Sequence, residues 1–390
     1  MFELQSGIAQ LEFFCGATLV VEGPAKLELL SEKAVHCLTG KLQANVPPAA
    51  RGFEVHVADS KVVDLGTEFG IEVSSSGVDL HVYDGEVELQ HPSDESPKLL
   101  ESGDSVTWSG VQSPTPDSPE SAVKREKLVD VENFRRQAEG QSSRSYREWL
   151  DFSQRIASDS RLIAYYGMHS ENRWERKLLD SRSPSDKELT GAIVGAEFSQ
   201  GRWPEKNALE FKHPGDRVRV QIPGQFSSLS FCCWVRIDSL DRWYNSLFLT
   251  DNYQRGEPHW QILDSGQLFF SVRVSQTQGG QEHKVVLSPV FWKPSMSGQW
   301  LHLATTYDVE NATTTHYLNG QPLSSEKIPA KQLVPETRIG LASIGNWSAP
   351  TRDTEEFAIR NLNGRMDEIM VFSAALSATE INEIYQHGKP

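Results

Sequence analysis

Cysteine is scarce in this chain, with four in 390 residues. A chain of this length is not held together by disulfides at that density. No C-x-x-C pair or Cys/His cluster has the spacing of a zinc site. Cys15 and Cys37 fall in separate predicted strands, so both a bridge between them and two free thiols stay open. Cys232 and Cys233 are neighbours on one predicted strand, which turns them to opposite faces as small buried hydrophobes. Long apolar runs are also missing, whereas a membrane helix needs about 20 such residues. Met1-Phe2-Glu3 opens directly into strand-like sequence, without the basic start and apolar core of a secretion signal. Positive charge is in deficit: 38 Lys and Arg against 53 Asp and Glu give a net charge of −15. Most of the excess lies in residues 1–112, where 6 Lys and Arg face 18 Asp and Glu, a net −12. Such a surface repels phosphates, so nucleic acid is not an expected partner. No glycine-rich phosphate loop precedes a helix, and no G-x-S-x-G setting surrounds a serine.

What the chain does have is alternation. In VVDLGTEFGIEV, Val63, Leu65, Thr67, Phe69, Ile71 and Val73 occupy one parity, while Asp64, Glu68 and Glu72 with two glycines occupy the other. Successive side chains of a strand point to opposite faces, so the spacing predicts one strand from Val63 to Val73 with one face buried. Val78, Leu80 and Val82 repeat the pattern, and Asp84-Gly85 predicts a tight hairpin turn into Val87 and Leu89. Upstream, Ala9–Phe14, Thr18–Glu22, Ala25–Leu30, Ala34–Leu38 and Gly40–Ala44 read as further short strands. None of these residues has a catalytic setting, so the stretch predicts a scaffold.

LGTEFGIEV followed by VYDGEVEL, with LEFFCGATLVVEGPAKLELLSEKAVHCLTGKLQANV before it, resembles the FecR domain. That family forms the periplasmic part of bacterial regulators of extracytoplasmic-function sigma factors. The resemblance covers roughly Leu4 to Val111. It implies a membrane anchor and a cytoplasmic segment upstream of this sequence, and a membrane receptor or sigma-factor system as partner.

Val111–Glu120, VQSPTPDSPE, predicts an extended linker, because three prolines among serine, threonine and acids cannot pack a core. Ser121–Ser158 then reads as helical. Leu128, Val131, Phe134 and Ala138 recur at helical spacing, as do Tyr146, Trp149, Leu150 and Ser153 after a break at Gly140–Ser143. From Leu162 onward about eleven strands follow, with turns at Asp264-Ser265-Gly266 and Asn319-Gly320, and argue for one large sandwich. Ser377 with Glu380 forms a capping box at the start of a closing helix.

GQWLHLATTYDVENATTTHYLNGQPL, IGNW and NLNGRMDEIMVFSAALSATEINEIY resemble the laminin-G/concanavalin A-like jelly roll, over roughly Arg161 to Lys389. The expected fold is therefore mainly β: a FecR-like β domain at 1–111, a linker and helical connector at 112–160, and a laminin-G/concanavalin A-like β-sandwich at 161–390. Glycoside hydrolases also use this sandwich, and the glucanase branch carries E-x-D-x-x-E on one strand. No Glu here is followed by Asp two residues on. Glu355-Glu356 and Asp367-Glu368 are adjacent pairs, which a regular strand would send to opposite faces. The expectation is a binding module without catalytic residues.

Sugars stack on exposed aromatics. Trp243, Tyr244 and Asn245, next to Arg242 and near Tyr253, form one candidate ligand-binding cluster, and Trp347 beside Asn346 forms another. Trp234, Trp260 and Trp300 lie inside predicted strands and are assigned to the core. The resemblance also implies a structural calcium ion at the rim, with Asp367 of GRMDE as its one matching carboxylate; the alternative role for Asp367 is a hydrogen bond to a neighbouring loop. The expected function is the extracytoplasmic part of a FecR-like regulator whose sandwich binds a glycan or protein. A surface adhesion protein without signalling is the alternative, and a glycoside hydrolase is less favoured.

Overall fold

The computed structural model describes residues 1–109, 115–116, 131–170, 172, 174–275, 283–348 and 359–390. The Pro-rich linker at 111–120 (apart from Thr115 and Pro116), the start of the predicted helix at 121–130 and the pair Glu355-Glu356 lie outside the described residues. So do the side chains of the stripe from Leu128 to Ala138. The chain divides into two compact units, Met1–Gly140 and Gln141–Pro390. It is mainly β, with two helices among the described residues.

In the first unit twelve strands join in one sheet. Its central strand is Ala34–Asn45, which pairs along its length with Thr18–Ser31. On the other edge it changes partner. Residues Ala34–Cys37 pair in parallel with Glu54–Val57, and Gly40–Asn45 pair antiparallel with Glu68–Val73. Gly40 sits at the changeover with φ +110°, and a Cβ there would collide with Ala25. The separately predicted strands at Thr18–Glu22 and Ala25–Leu30, and at Ala34–Leu38 and Gly40–Ala44, are thus two continuous strands.

The single strand expected from Val63 to Val73 is broken. Ser60–Asp64 pairs with Glu54–Val57 and Glu86–Gln90, whereas Glu68–Ser74 pairs with Ala34–Asn45 and Gly77–Asp84. Between them the chain turns a corner at Gly66, φ +105°, whose N–H donates to Asp64 Oδ2 at 2.6 Å. The corner shifts the parity of burial. Val62 and Asp64 are buried before it, and Thr67, Phe69 and Ile71 after it. Asp64, expected on the acidic outer face, is inside, where burial raises its carboxyl pKa.

Asp84-Gly85 is not a hairpin either. Gly77–Asp84 and Glu86–Gln90 are not paired to each other; each joins a different part of the sheet. Gly85, φ +84°, is a second corner packed on the first. A Cβ on it would stand 2.8 Å from Gly66 O, and Thr67 Oγ1 donates to Glu86 O at 2.6 Å. The two glycine motifs of the sequence therefore lock to one another. The core beneath them includes Leu19, Val21, Leu42, Phe53, Val55, Phe69, Ile71, Val82 and Val87. Cys15 and Cys37 are free thiols, and burial pushes the Cys37 thiol up to about 12.

The second unit is a sandwich of two eight-stranded sheets. Its core holds Phe231, Phe248, Trp260, Phe270, Ile344 and Val371 from both sheets. Cys233 faces this core, while Cys232 joins a separate cluster with Tyr165, Met370, Phe372 and Ile381, so the two cysteines do point to opposite faces. That second cluster lies on the outer face of the sheet built around Leu229–Ser239 and Asn363–Phe372. Two helices supply its cover: Phe152 and Ala157 come from the end of Val131–Ile156 and the turn after it, and Ile381 and Ile384 from Ala378–Gly388. The predicted capping box is present, with Ser377 Oγ accepting from Glu380 N at 3.3 Å and Glu380 Oε2 accepting from Ser377 N at 2.8 Å.

Candidate ligand-binding site

The outer face of the other sheet is built by strand alternation. Along Pro258–Leu263, Trp260 and Ile262 enter the core, so His259 and Gln261 point outward. Along Gln267–Arg273, Leu268, Phe270 and Val272 enter the core, so Phe269, Ser271 and Arg273 point outward. A region this polar on one side and this apolar on the other keeps its register, because a one-residue slip would bury the arginine. Of these, His259, Gln261, Phe269 and Arg273, with Tyr244, Asn252, Tyr253, His283, Trp347 and Arg360, line a cavity of about 420 Å³.

Three polar side chains in its lining are almost wholly buried: His259 at 2%, Gln261 at 1% and Arg360 at 5% exposure. Arg360 carries its guanidinium between two rings, 4.6 Å from the Tyr244 centroid and 4.3 Å from that of Trp347. Its Nη1 also donates to Gln261 Oε1 at 3.3 Å. Burial draws the guanidinium pKa down to about 10, against the opposing pull of the Tyr244 and Tyr253 phenols. Tyr253 has φ +49°, a left-handed backbone that a bulky residue adopts only when its surroundings compel it. That turn lays its ring on His259, centroids 3.8 Å apart and nearly parallel, while its hydroxyl meets Ser271 Oγ at 2.7 Å. His259 Nε2 lies 3.0 Å from Thr250 O, a carbonyl that can only accept, so Nε2 carries the proton. Burial and then the charge of Arg360 hold His259 well below its ordinary pKa, and burial with Arg273 lowers His283. Both rings are neutral at pH 7, leaving Nδ1 of His259 as an acceptor.

The predicted residues divide. Tyr244 and Trp347 are brought together around Arg360. Asn245 is fully buried and structural: its Nδ2 donates to Arg242 O at 2.8 Å and to Ile262 O at 3.3 Å. Trp243 is 64% exposed and stands outside the cavity lining. Trp234 and Trp260 are in the interior as expected, but Trp300 is only half-buried. The sequence reading missed His259, Gln261, Arg273, His283 and Arg360. Strand parity against Trp260 and Phe270 could have found three of them; Arg360 carried no local signal.

Asp367 lies on the opposite side of the sandwich, in a closed cluster. It is fully buried, with Oδ1 2.6 Å from Lys206 Nζ and 2.8 Å from Arg202 Nη2. Its Oδ2 accepts from the backbone N of Arg202 at 2.8 Å, a bond to a neighbouring loop. Glu368 is not on the opposite face. It contacts the same Arg202 Nη2 at 2.8 Å and accepts from the Tyr165 hydroxyl at 3.0 Å. The reason is a β-bulge: Glu368 pairs with Trp234 and Met366 with Val235, so Asp367 is an extra residue without a partner on the neighbouring strand. A bulge can turn two consecutive side chains to one side. Burial alone would raise the Asp367 pKa, but Arg202 and Lys206 outweigh it and hold the carboxyl low. A calcium ion at Asp367 would have to displace two cations. Among the described residues no group of three His, Cys, Asp or Glu side chains is placed to hold a metal.

Comparison with known proteins agrees with the two units. The FecR protein family model matches residues 9–88, and the model for the concanavalin A-like lectin/glucanases superfamily matches residues 215–382. No curated protein sequence matches the chain. Among solved structures, the botulinum neurotoxin serotype D binding domain is similar at 14% identity, covering 58% of this chain and 52% of that one, TM-score 0.43. The binding domain of Paraclostridial Mosquitocidal Protein 1 gives 17% identity, 58% and 52% coverage, and TM-score 0.42. The chain spans about half the length of these toxin domains. Domain 4 of AbnA, a GH43 extracellular arabinanase from Geobacillus stearothermophilus, in complex with arabinotriose, gives 18% identity, 58% of this chain, 98% of that one, and TM-score 0.38.

Proposed function

We propose that the second unit is a carbohydrate-binding module and that the cavity between Tyr253, Trp347 and Arg360 is its ligand site. The observation that carries this reading is a set of buried polar side chains, His259, Gln261 and Arg360, opening into a 420 Å³ cavity beside Tyr244, Tyr253 and Trp347. A few convergent polar side chains set among aromatic rings beside a cavity are the kind of lining that orients a polar ligand. Sugars suit it because they offer hydroxyls to amide, imidazole and guanidinium groups and a C–H face to aromatic rings.

The site binds without turning its ligand over. Glycoside hydrolysis of the common kind uses two carboxylates about 5–10 Å apart, and the described lining includes none. The first unit, matched by the FecR family model, serves a signalling system that spans a membrane, and both units work outside the cytoplasm. Ligand binding then passes to a receptor or sigma-factor partner through a difference in affinity between two arrangements of the protein.

The test is a melting-temperature screen of the full chain against a glycan panel, with calcium and with chelator as separate arms. A ligand of the folded state stabilises it by about 2.7 kcal/mol at a hundred times its dissociation constant. A shift with one glycan class that is lost in Tyr253→Ala supports the site. No shift with any saccharide, together with a shift on adding a protein partner, ends the carbohydrate reading.

A further inference from the structure

We infer that the saccharide taken by this face carries an anionic group, a carboxylate or sulfate, and that Arg273 receives it. The inference rests on the carbohydrate reading above. Arg273 ends the strand Gln267–Arg273 on the outward parity, at the wall of the cavity, and is half-exposed. Its Nε is fixed by Ser275 O at 2.9 Å, and its guanidinium lies 5.5 Å from the Tyr253 ring centroid. Those two contacts orient the guanidinium of a side chain that lines the cavity. A fixed guanidinium fork matches the two oxygens of a carboxylate or sulfate better than it matches a single hydroxyl.

The surroundings favour the same charge. The described lining contains two arginines and no aspartate or glutamate. The acids on the neighbouring loop are engaged elsewhere. Asp251 pairs with Arg219 at 2.7 Å, and Glu257 accepts from Gln254 N at 2.6 Å and faces Arg338 at 3.5 Å. His259 and His283 are held neutral, so they can read hydroxyls without competing for the anion. Placed in a partly dehydrated cavity, the two positive groups act through a lower effective dielectric than at an open surface.

The experiment is titration calorimetry on the full chain with oligogalacturonate, alginate oligomers and chondroitin sulfate fragments, set against the methyl ester of the galacturonate and neutral oligomers of galactose, xylose and glucose. The expected result is binding of at least one acidic oligomer about tenfold tighter than its neutral or esterified form, with the difference shrinking as salt is raised. Arg273→Gln should weaken the acidic oligomer by about tenfold more than its neutral or esterified form, and Arg273→Lys should restore part of that difference. Binding of sulfated but not carboxylated oligomers supports the inference and names the group. Equal affinity for acid and ester, or equal loss of both in Arg273→Gln, overturns it while the carbohydrate site stands. Failure of every acidic and neutral saccharide overturns both.

Discussion

The two outer faces of the sandwich use the same part in opposite ways. On one, Arg202 lies against three tryptophans, 5.4 Å from Trp149, 4.6 Å from Trp203 and 4.7 Å from Trp234. On the other, Arg360 lies between Tyr244 and Trp347 at 4.6 and 4.3 Å. Arg202 meets Asp367 and Glu368 and is roofed by the helix residue Trp149, whose Nε1 reaches Glu368 Oε1 at 3.4 Å. Burial would lower its pKa, but the two carboxylates outweigh burial and raise it. For Arg360 burial wins and the pKa falls to about 10. An arginine embedded in aromatics is thus a structural clamp where the fold brings carboxylates and a helix to it. Where the fold leaves a cavity beside it, it stands in the lining of the proposed ligand site.

This contrast gives an ordered set of measurements. The largest effect belongs to the clamp. Asp367→Ala leaves Arg202 and Lys206 buried with one carboxylate between them, and should lose about 3–5 kcal/mol of stability in chemical denaturation. A loss below 1 kcal/mol would mean that the cluster is no clamp. The next effect is acid sensitivity carried by two buried histidines of the sheet that holds the clamp. His302, held by burial to about 3, and His316, held to about 4, stay neutral when folded. The unfolded chain takes up their protons near pH 6.5, so it binds more protons than the folded state below that value and stability falls as pH falls. The fall runs from about pH 6.5 down through these folded values, and His302→Gln should flatten it by about 1 kcal/mol per pH unit. An unchanged slope would remove His302 from the account.

A smaller effect on stability, with a larger one on binding, is expected at the open face. Arg360→Gln should weaken the saccharide that the screen identifies by more than about tenfold, at a stability cost of about 1–2 kcal/mol for its lost ring contacts. If unfolding and binding failed together, Arg360 would belong with Arg202. Smallest of all is Trp243→Ala. Its indole is exposed, so stability should change by no more than about 0.5 kcal/mol. Unchanged binding would confine the site to the cavity, and a loss of binding would extend it over the Trp243 loop.

Local chemistry made much of this molecule legible. Alternating patterns placed most strands, and the parity of Cys232 and Cys233 assigned each to its face. The Ser377–Glu380 box gave the closing helix its start. These features depend on neighbours within a few residues, and the sequence holds those neighbours directly. The same parity failed wherever a backbone detail interrupted it. Gly66 and Gly85 read locally as a mid-strand softening and a hairpin turn; they are two corners, because Gly66 O and Thr67 pack against Gly85 and Glu86, nineteen or so residues away. At Asp367 the bulge put two carboxylates on one side of the sheet, and its cause lies in the register with Trp234 and Val235, about 130 residues earlier.

The candidate site shows the same division. Tyr244 and Trp347 could be named from their aromatic character. Arg360 could not, since nothing near it in the chain distinguishes it from a solvated arginine. The sequence by itself determined two β-rich regions, because periodic burial fixes which side chains face a core, and its motifs resemble the FecR domain and the concanavalin A-like sandwich. Only the tertiary structure decided which arginine is closed in a clamp and which opens on a cavity. Carboxylates, rings and loops from distant segments set the dielectric and the charge around each guanidinium, and those neighbours meet only when the sheets have formed.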